Sequence, residues 1–433
     1  MNKRQLGKTN INLTAIGFGG APLGNLFESL DERSCYDILE KTYETGVNIY
    51  DTSPLYGYGL SEHRLGNFLK TVDEESYFLS TKVGRYLTPA KKENIDRGRF
   101  AGSLNFSPNL DYSYDGVMRA FEQSLLRLAV SKVDICLIHD VDRFNFGDEV
   151  DHYFKLAMDG AYKAVQKLKE EKVIKAIGVG VNDSDICARF ASAGDFDCMV
   201  LAGRYSLLDQ NALNDFFPIA EKNNIGIILA GIFNSGILAK GVGDNITYFY
   251  DKIPEDVRKR YLKIADVCKK YEVPVPAAAI QFCYANELIS SMILGMDRID
   301  QVKQNIDFLN FPIPKDLWKD LIDQKLSQGV PVLVCVRDIP PDEKNPFTTE
   351  QTIHMIEAVY SEDDVVVMSI PDIESVNYGR GVGYDITEHV PPKDVGFVSA
   401  TQIREQIVEG EAEWKENVDP KIQGIVHSLL LRN

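Results

Sequence analysis

Positive charge is scarce in this chain. Its 47 Lys and Arg residues face 64 Asp and Glu, leaving a formal net charge of −17 over 433 residues. Such a surface repels phosphates, which argues against a general nucleic-acid or anionic-membrane partner while leaving room for local basic pockets. Paired cysteines are also missing. The seven cysteines are odd in number, scattered singly and never in a CxxC spacing, and several lie in apolar runs, as Cys136 does in "VDICLIHD". They read as reduced core thiols rather than a disulfide framework. No apolar run is long enough to span a bilayer, and the opening "MNKRQLGKTN" lacks the apolar centre of a targeting signal. The expected compartment is the cytoplasm. Internal repeats and low-complexity tracts are absent as well.

What the chain does have is alternation. Eight short apolar runs, 13–19, 47–51, 77–83, 133–139, 174–181, 198–203, 225–231 and 291–296, read as strands. Most are apolar on both faces, as parallel strands covered by helices require. Amphipathic segments lie between them, at 31–46 with Asp31 as cap and Gly46 as stop, at 111–129 and at 153–172. Eight such units over roughly 300 residues predict an α/β fold, a (β/α)8 TIM barrel, with an open doubly wound sheet as the alternative. The segment before the first strand reads as a hairpin under the barrel. Two loops are longer than a barrel needs, 84–111 and 239–258. Loops of this length either shape a binding site or are disordered, and Tyr86, Phe100 and Phe106 in the first would suit an aromatic platform.

The pattern restarts late in the chain. Strands are predicted at 329–338 and 363–372, with helices at 348–360 (capped by Thr348 or Thr349) and 399–410. This divides the chain into a barrel over 1–326 and a smaller C-terminal α/β segment over 327–433.

Four reactive side chains fall at the carboxyl ends of consecutive strands. Asp51 closes the second, Tyr56 follows in its loop, Lys82 lies near the end of the third, and His139 closes the fourth. Active-site groups of a parallel barrel come from these ends. A free phenol, with a pKa near 10, exchanges protons poorly at neutral pH, and a neighbouring ammonium favours its ionised form. A carboxylate holds that ammonium in place, and an imidazole orients a carbonyl or relays a proton. A single Asp, Tyr, Lys or His at a strand end is more often a cap or a solvated group. Their joint occurrence on three neighbouring strands points to carbonyl/alcohol chemistry.

The stretches "RQLGKTNINLTAIGFGG", "VNIYDTSPLYGYGLSEHRLGNFL", "STKVG" and "LIHD" resemble, in order and spacing, the aldo-keto reductase superfamily over about residues 3–320. Within it, "FSPNLDYSYDGVMRAFEQSLLRL", "LAGRYSLLDQ" and "NSGIL" resemble the branch of L-fucose, D-threo-aldose and L-galactose-type dehydrogenases, with pyridoxal dehydrogenases beside it. The resemblance implies a catalytic tetrad of Asp51, Tyr56, Lys82 and His139, with Tyr56 as acid or base. It also implies NAD(P) bound without a Rossmann fold, a small-molecule sugar or aldehyde substrate, and no metal. The implied cofactor contacts are Gly19, Gly20, Asn182, Tyr205, Phe233, Gly236, Arg298, Gln301 and Asn305. Several departures stand out. Gly180 replaces a common serine, Asn182 is displaced by one position, and Ala202 and Ala230 stand where a glutamine and a stacking aromatic are common. Tyr205 or Phe233 is then the expected stacking ring. Gly295 and Gln301 stand where basic residues accompany the 2′-phosphorylated cofactor, which leans towards NAD.

The segments "VPVLVCVRDIPPDEKNPFTTEQTIHMI" and "VSATQIREQI" resemble the second half of cytidylyltransferase-like nucleotidyltransferases. Ser399, Thr401 and Arg404 match the turn that meets nucleotide phosphates in that family. Its HxGH half has no counterpart here, which implies a partial, degenerate module. The leading expectation is an NAD(P)-dependent aldose or aldehyde oxidoreductase. The rival is a cofactor-binding redox sensor or regulatory module with a nucleotide- or partner-binding tail. A homo-oligomer, or a partner held through the C-terminal segment, is the associated expectation.

Overall fold

The computed structural model describes residues 1–243, 246–249, 251–326, 332–338, 348–359, 365–371 and 423. The chain divides into two compact units, Met1–Pro314 and Lys315–Asn433.

The first unit is the barrel. Its eight strands are Ile16–Gly19, Ile49–Asp51, Phe78–Val83, Ile135–His139, Ala176–Val181, Cys198–Ala202, Gly226–Ala230 and Ile289–Gly295. They pair in parallel, each with the next, and the eighth returns to the first through Met292↔Ile16, which closes the ring. All eight predicted strands are present, and the open-sheet alternative is not adopted. Nearly every strand position is buried, because alternate side chains face the barrel interior and the helices outside. Ile49, Ile135, Leu137, Val200, Ile228 and Ile293 fill the interior. The hairpin of Lys3–Gln5 and Asn12–Thr14 adds Leu6, Ile11 and Leu13 to the same cluster, so it plugs the barrel as its sequence suggests. It does so at the amino ends of the strands, where the Lys8 amide donates to the Asn224 carbonyl.

Helices follow the capping logic. In Glu32–Glu44, Asp31 accepts the Ser34 amide at 2.9 Å, and Cys35, Ile38, Leu39 and Thr42 are buried. Gly46, after its end, has φ +81°. Tyr114–Leu128 is capped by Ser113. The segment predicted as one helix over 153–172 begins at Val150 and contains a wide turn, Ala157–Ala161. There Gly160 lies against the Tyr112 carbonyl so closely that a Cβ would stand 2.3 Å from its oxygen.

The long segment 84–111 is more ordered than its sequence suggests. It contains an antiparallel pair, Arg85–Pro89 with Phe106–Leu110. Pro89 and Pro108 and the mixed polarity of these strands hid the pairing. In the second unit, strand Val332–Asp338 pairs in parallel with Val365–Pro371, and helix Thr349–Val359 lies between them in sequence. Thr348 caps that helix, its Oγ1 accepting the Gln351 amide at 3.2 Å. Helix Lys315–Leu326 belongs to this second unit, whereas the sequence pattern divides the chain after 326. The expected helix at 399–410, with Ser399, Thr401 and Arg404, lies outside the described residues. Among the described residues no helix is long and apolar enough to cross a membrane.

Candidate active site

The second, third and fourth strands are neighbours, with Asp51 opposite Ser80 and Lys82 opposite Leu137. This register brings the ends of the three strands together. Lys82 Nζ donates to Asp51 Oδ2 at 2.5 Å and to the Thr52 carbonyl at 2.8 Å. Ser80 Oγ donates to the other carboxylate oxygen of Asp51 at 2.8 Å. The two charged side chains are only 3 % and 5 % exposed. A buried ion pair survives only when its remaining hydrogen-bonding capacity is met, and here Ser80 and Thr52 meet it. Tyr56 sits above the pair, with Lys82 Nζ 4.8 Å from its ring centroid.

His139 closes the constellation. Its ring lies 6.1 Å from that of Tyr56 at an interplanar angle of 83°. Ser53 Oγ contacts Nδ1 at 3.3 Å, and Nε2 lies 3.2 Å from Asp140 Oδ1. Asp140 Oδ2 accepts from Arg85 at 2.9 Å, and the Tyr112 hydroxyl donates to the His139 carbonyl at 2.6 Å. Burial holds the imidazole well below its ordinary range, and the positive charges of Lys82 and Arg85 push it the same way. Burial raises the Asp140 carboxyl, with Arg85 opposing it. The ring is therefore neutral at physiological pH, and the contacts to Ser53 and Asp140 hold it from both sides.

The loop that carries Tyr56 is anchored by groups that sequence reasoning missed. Helix Leu60–Leu69 buries Ser61, Glu62 and Arg64. Ser61 Oγ donates to the Gly20 carbonyl at 2.7 Å. Glu62 accepts from Arg127 at 2.6 Å and from Thr81 at 2.9 Å. Arg64 donates to the Leu23 carbonyl and Asn25 Oδ1. Gly24 lies so close to Tyr56 that a Cβ would stand 2.5 Å from its carbonyl carbon. The available signal was a run of polar residues, "SEHR", immediately after the tyrosine loop.

A cavity of about 710 Å³ opens over these groups. Its walls include Asp51, Tyr56, Lys82 and His139, together with Gly19, Gly20, Asn182, Phe233, Gly236, Arg298, Gln301 and Asn305. Tyr205 is the exception among the expected contacts. It is 6 % exposed and packs in the core beyond the cavity wall, stacked on Phe282 at 5.3 Å and tilted against Phe217 at 4.9 Å. Of the three aromatics expected from segment 84–111, only Phe100 reaches the wall. Tyr86 lies under the Arg119 guanidinium, 4.0 Å from its centroid, and Phe106 is paired in the hairpin. The sequence reading did not single out Phe27, Phe144, Phe249 or Asp297, all of which line the cavity.

Part of the wall is almost without side chains. Gly180, Ala202, Gly203, Ala230 and Gly231 come from the ends of the fifth, sixth and seventh strands. A Cβ on Gly180 would meet nothing nearer than Lys82 Cε at 3.7 Å and His139 Cδ2 at 3.8 Å. The glycine thus leaves open the space beside both groups, a cradle that fits a planar ring. A nicotinamide dinucleotide fits this arrangement. Among the described residues no cluster of His, Cys, Asp and Glu suits a metal.

Comparison with known proteins agrees with the geometry. The profile of the Aldo/keto reductase family matches residues 15–325. Pyridoxal 4-dehydrogenase from Microbacterium luteolum is 38% identical over 335 residues, covering 75% of this chain and 97% of that protein. D-threo-aldose 1-dehydrogenase from a Pseudomonas species is 35% identical over 319 residues, covering 72% of this chain and 94% of that protein. Among solved structures, the glycerol dehydrogenase from Gluconobacter oxydans superposes with a TM-score of 0.60 at 19% identity, covering 79% of this chain and 98% of that one. At that identity the likeness concerns the fold alone.

Proposed function

Because the chain belongs to the aldo/keto reductase family, and is therefore an NAD(P)-dependent oxidoreductase, we propose that its barrel acts on a ring-bearing aldose or aldehyde with Tyr56 as the acid/base. The observation that carries this reading is the Asp51–Lys82 pair, closed at 2.5 Å and set 4.8 Å from the Tyr56 ring on the cavity wall. A bound nicotinamide supplies or accepts the hydride. In the oxidative direction Tyr56 takes the proton of the substrate hydroxyl as the carbonyl forms, and in the reductive direction it returns one to the carbonyl oxygen. Lys82 stabilises the negative charge that the phenol oxygen carries between these steps, and Asp51 fixes the ammonium. The neutral ring of His139, edge-on to Tyr56 and held by Ser53 and Asp140, walls the space in which the substrate oxygen meets Tyr56. Held neutral by burial and by the charges of Lys82 and Arg85, it carries no imidazolium proton to give in the step.

The substrate class rests on the mouth of the cavity. Phe27, Phe100 and Phe144 supply flat apolar surface, with the polar side chains of Arg99 and Asn145 on the same wall, the Asn145 amide donating to Asp142 Oδ1 at 2.7 Å. A polyhydroxylated or heteroaromatic ring uses both. The names of the two curated relatives, one acting on pyridoxal and one on D-threo-aldoses, support the same class. With NAD(P), kcat/KM for aldoses or pyridoxal should exceed that for unfunctionalised aliphatic aldehydes by about tenfold or more, the order that a few specific contacts supply. Equal or reversed preference in a side-by-side assay would overturn the substrate class. Buried, unpaired cysteines throughout the first unit support a reducing, cytoplasmic setting. For the C-terminal unit, its parallel strand pair and intervening helix support the partial nucleotidyltransferase-like reading. Without an HxGH turn, its role is that of a docking or oligomerising module rather than a second enzyme.

A further inference from the structure

At the end of the fourth strand two consecutive side chains, His139 and Asp140, both reach the cavity wall and touch each other. In an extended strand neighbours point to opposite faces. Asp140 escapes that rule through its backbone, whose φ of +59° lies in the left-handed region that residues other than glycine rarely adopt. The turn is held from several sides. The Asp140 amide donates to the Gly180 carbonyl at 2.9 Å, and the Tyr112 hydroxyl donates to the His139 carbonyl at 2.6 Å. Tyr112 itself packs against Gly84 so tightly that a Cβ there would stand 2.4 Å from its ring. Strain of this kind persists only where the surroundings impose it, and it gathers at working sites. Here it lays the Asp140 carboxylate beside the imidazole, with Oδ1 3.2 Å from Nε2.

The other oxygen of Asp140, Oδ2, accepts from Arg85 at 2.9 Å, and both side chains are only 13 % exposed. Arg85 opens the hairpin strand Arg85–Pro89, so the extra hairpin reaches the imidazole through one salt bridge. Burial raises the Asp140 carboxyl, while Arg85, Lys82 and Arg99 oppose it. Paired with Arg85, the carboxylate is an ionised acceptor. On the other side of the ring, Ser53 Oγ lies 3.3 Å from Nδ1. That oxygen already accepts the Leu55 amide at 3.1 Å, which leaves its own proton for Nδ1.

A neutral imidazole carries one N–H and one lone pair. A lone pair on Nε2 would face the carboxylate and be repelled, whereas an N–H there is attracted. A lone pair on Nδ1 receives the Ser53 proton. Both sides ask for the same tautomer. We propose that Asp140, held by Arg85, is a positioning residue that fixes His139 as its Nε2–H tautomer and so sets the hydrogen-bonding face the ring presents in the cavity. The inference rests on the reading of the barrel as an oxidoreductase whose substrate oxygen meets Tyr56 beside this ring.

Imidazole ¹⁵N resonances distinguish the two tautomers without turnover, and His139→Gln assigns the signal among the six histidines. The unmodified protein should show Nε2 protonated and Nδ1 bare. Asp140→Asn keeps the shape but cannot satisfy both neighbours. Its amide oxygen is held by Arg85, which can only donate, so its NH2 turns to Nε2 and requires a lone pair there. The ring should switch to Nδ1–H. Turnover (kcat) should fall by roughly 10- to 100-fold, the scale of a misdirected group at a reacting centre, with dinucleotide affinity unchanged. Adding Arg85→Leu to that variant frees the amide oxygen to return to Nε2, and should restore the Nε2–H signal and much of kcat. A merely structural role gives no such rescue. The proposal is overturned by a ring protonated at Nδ1 in the unmodified protein, by an Asp140→Asn variant that keeps both tautomer and kcat, or by a double variant no better than the single one. The first of these is read even where a variant fails to fold. The expected tautomer with no turnover of any aldose or aldehyde would sink the oxidoreductase reading and leave the tautomer assignment in place, so the two failures are distinguishable.

Discussion

Tyr56→Phe should lower kcat by roughly 10²- to 10⁴-fold, the contribution expected of a positioned general acid or base. Dinucleotide affinity should stay within about twofold, because the substitution removes one oxygen and keeps the ring. The ring also packs 6.2 Å from Phe100 and 6.1 Å from His139, and phenylalanine retains both contacts. Ser61, Glu62 and Arg64 anchor the helix that follows the Tyr56 loop, and the substitution leaves those contacts in place, so the fold should be unchanged. Steady-state kinetics with the best aldose or aldehyde, alongside NADH binding, checks both halves. Near-native turnover in the phenylalanine variant would remove Tyr56 from its assigned role.

Lys82→Met should have two separable effects. The first is on stability. Asp51 and Lys82 are both buried, so removing the cation leaves an unpaired carboxylate, a change that costs about 3–5 kcal/mol in comparable buried pairs. The second is on chemistry. Without the ammonium 4.8 Å from its ring, the phenol loses the charge that favours its ionised form, and the pH optimum of oxidation should move upward. The sign follows because the oxidative step needs Tyr56 to accept a proton, and a less stabilised phenolate reaches that state at higher pH. The double variant Asp51→Asn, Lys82→Met separates the two effects. It should recover much of the stability, measured by denaturant unfolding, because no buried charge is left alone. Its turnover should stay low. Recovery of both together would mean that the pair is structural only.

Much of this arrangement is legible in the amino-acid sequence. The eight strands announced themselves because parallel strands buried on both faces are short, continuous apolar runs, and the helices between them carry caps such as Asp31. The convergence of Asp51, Tyr56, Lys82 and His139 was legible because they stand at or just after the ends of adjacent strands, where neighbouring register brings them together. What was not legible depends on side-chain direction and on pairing between distant segments. Tyr205 lies close in sequence to the cavity residue Gly203, yet its ring packs away from the cavity against Phe217 and Phe282. The hairpin of Arg85–Pro89 and Phe106–Leu110 is held by pairing across an intervening loop, which no local pattern encodes.

The central claim is direct hydride transfer between a substrate carbon and a nicotinamide held in this barrel, with Tyr56 handling only the proton. An aldose deuterated at its anomeric carbon tests it most directly. After oxidation by the full chain in ordinary water with NAD, mass spectrometry of the reduced dinucleotide should find the deuterium there, one per turnover, and kcat/KM should fall relative to the protiated sugar whenever the transfer limits the rate. Deuterium recovered in the solvent, with none on the dinucleotide, would contradict the account.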